Sequence, residues 1–117
     1  MTETSLFTKI IRREIPADIL FEDEQCIVIK DIQPQAPIHL LLIPKVAIPR
    51  LVDAQAEHQA LLGHLMLTAG RIATDLGCGD AFRLIVNNGE GAGQTVFHLH
   101  LHLLSGKTLS EQTLSFN

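Results

Sequence analysis

Phe97-His98-Leu99-His100-Leu101-His102-Leu103-Leu104 alternates imidazole with apolar side chains. Successive side chains of an extended chain point to opposite faces. Thr95 to Leu104 is therefore predicted as a strand with His98, His100 and His102 on one face and leucines on the other. The leucine face belongs to a core and the histidine face to a site. Solvated strand faces ordinarily carry Thr, Lys, Glu or Ser, and three neighbouring imidazoles repel one another once protonated. A plain solvated face therefore accounts poorly for the pattern.

Before this strand lie a predicted strand from Phe82 to Val86 and a glycine-rich loop from Asn87 to Gly93. Further back, Leu61, Leu62, Leu65, Ala69, Ile72, Ala73 and Leu76 recur at three- and four-residue steps, which predicts a long helix capped by Asp53 and ended by Gly77. Pro34-Gln35-Ala36-Pro37 breaks the chain ahead of a buried strand, His39 to Pro44. Ile19-Leu20-Phe21, the turn Glu22-Asp23-Glu24 and Cys26 to Ile32 predict a hairpin. Ser5 is placed to cap a short helix through Leu6, Phe7, Ile10 and Ile11, ended by Ile15-Pro16. Strands outnumber helices and short turns join many of them. The fold expected is α+β: a mainly antiparallel sheet with one long and one short helix on one side, forming a single domain over residues 1–117.

The chain has 117 residues, a formal net charge of -4, 46% hydrophobic and 19% charged residues. That composition is too apolar for a disordered chain and suits one core. Scattered basic residues within a net negative chain exclude the electrostatics of nucleic-acid binding. No apolar run reaches the length of a membrane span or signal peptide, so a cytoplasmic location is expected. Cys26 and Cys78 lie far apart without a CxxC, and are expected to be reduced thiols with no role in a site.

Two chemistries suit the histidine face. One is a zinc site: alternate histidines lie about 6 to 7 Å apart along a strand, but His98 and His102 lie roughly 13 Å apart, and only His39 offers a further ligand. The other is nucleophilic attack by a neutral imidazole on phosphorus, with neighbouring imidazoles handling protons. Asn87-Asn88-Gly89-Glu90-Gly91-Ala92-Gly93-Gln94-Thr95 runs into the histidine strand, and its glycines would let backbone N–H groups approach an anion. Ser105-Gly106-Lys107-Thr108 imitates the end of a phosphate-binding P-loop, but Leu101 stands where that motif needs glycine. Lys107 is therefore read as a surface residue. His58 and His64, on the long helix, are read as surface or interface residues.

The sequence resembles the histidine triad family, specifically its nucleoside phosphoramidase (HINT) branch. The resemblance rests on Phe7 through Ile15-Pro16-Ala17, Phe21-Glu22-Asp23, Asp31-Ile32, Pro34-Gln35-Ala36-Pro37 with His39, Ile43-Pro44-Lys45, Leu61-Leu62-Gly63-His64-Leu65-Met66, and Asn87 through Leu104. It implies a homodimer that binds a purine nucleoside monophosphate such as AMP or GMP. It implies cleavage of the P–N bond of nucleoside 5'-phosphoramidates, including aminoacyl adenylates, with no cofactor or metal required. By the same resemblance, His100 is the nucleophile and His102 donates to the phosphoryl oxygens or the leaving group. His98 and His39 orient and support it. Asn87, the Gly93 N–H and the Thr95 hydroxyl hold the phosphate, with Thr95 where many relatives have Ser. Asp31 binds the ribose hydroxyls, and Phe7, Ile10, Ile29 and Ile32 line the base pocket. The chain departs from the family at Ala47, where relatives carry histidine, and in its tryptophan-free tail from Thr108 to Asn117. In the family that tail reaches the partner's site, so the departure bears on leaving-group preference. Alternatives are a nucleotide-dependent regulatory module with vestigial activity, a zinc-dependent hydrolase, and a dinucleoside polyphosphate hydrolase using the same triad.

Overall fold

The computed structural model describes residues 4–111. Five strands form one antiparallel sheet: β1 (Ile19–Glu22), β2 (Cys26–Lys30), β3 (Ile38–Pro44), β4 (Arg83–Ile85) and β5 (Leu101–Ser105), in the order β1-β2-β3-β5-β4. The helices are α1 (Leu6–Ile11) and α2 (Gln59–Asp75). The α+β reading, with one short and one long helix on an antiparallel sheet, holds. Ser5 caps α1 as expected, its Oγ accepting the Thr8 N–H at 3.0 Å. The turn after α2 places Gly77 at φ +81°, a conformation that glycine adopts without steric cost.

The helices do not share a side. Val28 pairs with Leu42, Leu42 with Leu101 and Leu40 with Leu103, and this face packs on Leu65, Ala69, Ile72 and Ala73 of α2. The intervening residues Ile27, Ile29, Leu41 and Ile43 form the opposite face and pack on Phe7 and Ile10 of α1. A strand covered on both faces is apolar without alternation, which is the pattern Leu40-Leu41-Leu42-Ile43 carries.

Several boundaries differ from expectation, among them β3, which starts at Ile38, and β4, which is confined to Arg83–Ile85 within the expected Phe82 to Val86. α2 starts at Gln59, because Asp53 takes the N–H of Arg50 at 3.1 Å and its guanidinium at 3.0 Å, closing a short 3-10 turn. β2 ends at Lys30, two residues before Ile32. β5 begins at Leu101 and not Thr95, because its ladder with β3 stops at Leu42↔Leu101. Earlier residues are held individually, as where the Leu99 N–H donates to the Ile48 carbonyl at 2.6 Å.

Cys26 and Cys78 are free thiols. Among the described residues no helix is long and apolar enough to cross a membrane.

Candidate active site

Sheet register builds the site. His102 of β5 lies opposite Leu41 of β3, and His39 lies two residues from Leu41 on the same face, the one that α1 covers. The rings of His39 and His102 are 5.2 Å apart, those of His102 and His100 5.1 Å, and those of His100 and Phe7 4.9 Å. A cleft of about 280 Å³ opens between α1, the end of β2 and the loop before β5. Its walls include Phe7, Ile10, Ile29, Asp31, Ile32, Asn87, Gly93, Thr95, His100 and His102. Ten of the twelve residues singled out in the sequence thus meet at one cavity, near the lower end of the usual range for small-molecule sites. The other two, His98 and His39, stand behind it. Ile32 is 94% exposed and therefore sits at the rim, not in the wall of a closed pocket.

The hydrogen bonds fix the ring tautomers. The Nε2 of His98 lies 2.7 Å from the Pro44 carbonyl, which can only accept, so Nε2 carries the proton. The Nδ1 of His100 lies 2.8 Å from the His98 carbonyl and is protonated for the same reason. In the neutral ring this leaves the lone pair of His100 on Nε2. His39 accepts the Gln35 N–H at Nδ1, 3.0 Å, so its Nε2–H donates to His102 Nδ1 at 2.9 Å. His102 then carries its own proton on Nε2. Asp31 also bounds this group, 3.4 Å from His39 Nε2. Its other oxygen accepts the Gln33 N–H at 2.8 Å, so Asp31 both makes a turn and faces the cleft.

Burial keeps these rings neutral. His39, His98 and His100 are 4%, 1% and 7% exposed. Desolvation lowers the pKa of each below the ordinary imidazole value, outweighing the opposing pull of Asp31 on His39 and His100. For His102 desolvation is joined by repulsion from His100 and His39, and the value falls to about 4.

The loop before β5 is held by Gln94, which the sequence reading did not single out. Gln94 is 2% exposed; its Oε1 accepts the Gly89 N–H at 2.7 Å and its Nε2 donates to the Pro49 and Val96 carbonyls at 2.8 and 3.0 Å. A glutamine among glycines reads as a solvated turn residue, and only the fold reveals its burial. Gly93 has φ +93° beside the Asn87 amide, a backbone state that favours glycine and presents this turn to the cleft.

Two clusters among the described residues bring three metal-capable donors together: Asp31, His39 and His102, and Asp23, Cys26 and His64. Two ligands of one tetrahedral zinc ion lie about 3.3 Å apart, from bonds of about 2.0 Å. The His39–His102 contact of 2.9 Å and the Asp23–His64 contact of 2.6 Å are hydrogen-bond spacings. His64, on α2, is half-buried and pairs with Asp23. A larger hollow of about 700 Å³, from Gly77 to Arg83 and Ser105 to Leu109, contains Lys107 but no histidine.

Fold and site define a class: the chain belongs to the HIT family, whose domain matches residues 12–109. A HIT-like protein of Synechocystis sp. is 59% identical over 110 residues, covering 94% of this chain and 96% of the relative. The purine nucleoside phosphoramidase of Escherichia coli is 46% identical over 110 residues, covering 93% and 92%. The solved structure of a HIT family hydrolase from Clostridium thermocellum superposes with a TM-score of 0.91 at 44% identity, covering 97% of this chain and 100% of that one.

Proposed function

We propose that this protein hydrolyses purine nucleoside 5'-phosphoramidates through a nucleotidyl-histidine on His100. The observation that carries the reading is the 2.8 Å bond from His100 Nδ1–H to the His98 carbonyl, which leaves a lone pair on Nε2 of a ring lining the cleft. In this reading Phe7, Ile10, Ile29 and Ile32 face the base and Asp31 accepts from the ribose hydroxyls. Asn87 and Thr95 hold the phosphate, whereas the Gly93 N–H, expected from the sequence to join them, donates to the Glu90 carbonyl at 3.0 Å. His100 Nε2 attacks phosphorus; a new N–P bond forms and the P–N bond to the amine breaks, the amine leaving with a proton from water. Water then attacks the histidine-bound phosphorus, releasing a proton, the nucleoside monophosphate and neutral His100. His102 donates through Nε2–H to a phosphoryl oxygen, where charge builds in each transition state. No metal takes part.

The similarity to the E. coli phosphoramidase supports this substrate class. A homodimer fits the outer face of α2, where Met66 is 57% and Leu67 72% exposed. Base-quenched turnover of adenosine 5'-phosphoramidate, followed by peptide mass spectrometry, tests the intermediate. An adenylyl adduct on His100 supports it. An adduct elsewhere, or turnover retained by His100→Ala, overturns it.

A further inference from the structure

α1 forms a wall of the cleft through Phe7 and Ile10, and its cap also reaches the histidines. The Ser5 Oγ lies 2.9 Å from His98 Nδ1, while the Thr8 Oγ1 lies 3.0 Å from Ser5 Oγ and 3.3 Å from that Nδ1. Because the Pro44 carbonyl claims the Nε2–H of His98, Nδ1 is an acceptor and must receive a proton from a hydroxyl. The shorter contact assigns that role to Ser5. The arrangement closes consistently: Thr8 N–H and O–H donate to Ser5 Oγ, Ser5 O–H to His98 Nδ1, and His98 Nε2–H to Pro44. The carbonyl of the same His98 then holds His100 Nδ1–H.

We infer that Ser5 is a positioning residue for the nucleophile: its hydroxyl holds the His98 tautomer and, through the His98 backbone, the orientation of His100. Because the hydroxyl sits on the helix that supplies two pocket residues, it also links the nucleotide-binding wall to the reacting nitrogen. The inference rests on the function proposed above. If Nδ1 of His98 lost its donor, the ring could take its proton on Nδ1 and release Pro44, and the carbonyl that aims His100 would lose its anchor.

Ser5→Ala removes both the cap and the donor, whereas Ser5→Thr keeps both. The experiment compares kcat and KM for adenosine 5'-phosphoramidate, AMP affinity, and the ¹⁵N–¹H spectrum of the histidine rings, in Ser5→Ala, Ser5→Thr and the Ser5→Ala/Thr8→Val pair. We expect Ser5→Ala to lower kcat on the order of tenfold, the loss typical of one hydrogen bond, with AMP affinity within about twofold. The doubly substituted protein should fall further, and Ser5→Thr should restore the rate. The His98 spectrum should show protonated Nε2 in the wild type and mixed tautomers in the alanine variant. An unchanged kcat and His98 tautomer in the double variant would overturn the inference, as would a rate loss explained wholly by weakened AMP binding. A wild type without phosphoramidase activity would defeat the proposed function, while the tautomer measurement would still test the Ser5 contact.

Discussion

His100 combines burial with a fixed proton, and each has a consequence. Desolvation lowers the pKa of the ring, so a neutral nucleophile persists below the ordinary imidazole value near 6.5. The acid limb of kcat/KM should therefore fall below pH 6.5 in a steady-state pH profile; a limb at or above 7 would show that another group or a charged ring governs the rate. His102 depends on its neighbour, since the His39 Nε2–H contact at 2.9 Å selects its tautomer. Replacing His39 with Ala should lower kcat about 10- to 100-fold, with folding retained in a thermal melt. Alternation groups the three histidines in sequence, but only His102 lies in β5; His98 and His100 precede it and are held by the Pro44 and His98 carbonyls. The tautomers were not legible, because they depend on the Pro44 and His98 carbonyls and the Gln35 amide, whose positions only the tertiary structure sets.

At the level of elements, the buried side chain of Gln94 ties the segment from Gly89 to Gly93 to the Pro49 and Val96 carbonyls. Gln94→Leu would strand the Gly89 N–H and two carbonyls at about 1–3 kcal/mol for each buried group left unpaired. It should lower the melting temperature by roughly 5 °C or more and raise KM more than it lowers kcat. An unchanged KM would mean that the loop does not hold substrate. Strand and helix identities were readable from periodicity, as in α2 and β3, but boundaries were not. The carboxylate of Asp53 suits a helix cap in sequence, yet Arg50 occupies it. The placement of α1 opposite α2 was also missed, although the unbroken apolar run of β3 carries that information. Gln94 left no trace, since a polar residue in a loop says nothing about burial.

For the whole molecule, the buried histidines couple stability to pH. Below about 6.5 the unfolded chain takes up protons at these four rings, while the folded chain resists until lower pH, as far as about 4 for His102. Stability is thus fully present above the unfolded value and is lost as pH falls from about 6.5 toward 4. Urea midpoints should decline across that window, and replacing His102 with Asn should flatten the decline. The exposed Met66 and Leu67 lead to a second whole-molecule expectation: light scattering should give a dimer, and Leu67→Glu should shift it toward monomer. The tail's bearing on leaving groups falls mostly on residues 112–117, outside the described residues. Hydrolysis of a fluorogenic adenosine phosphoramidate tests the proposed chemistry directly, run in chelator beside ADP, ATP and diadenosine polyphosphate for wild type and His100→Ala. We predict turnover of the phosphoramidate alone, abolished by the substitution and unaffected by chelator; AMP binding without turnover, or activity restored only by added zinc, would contradict it.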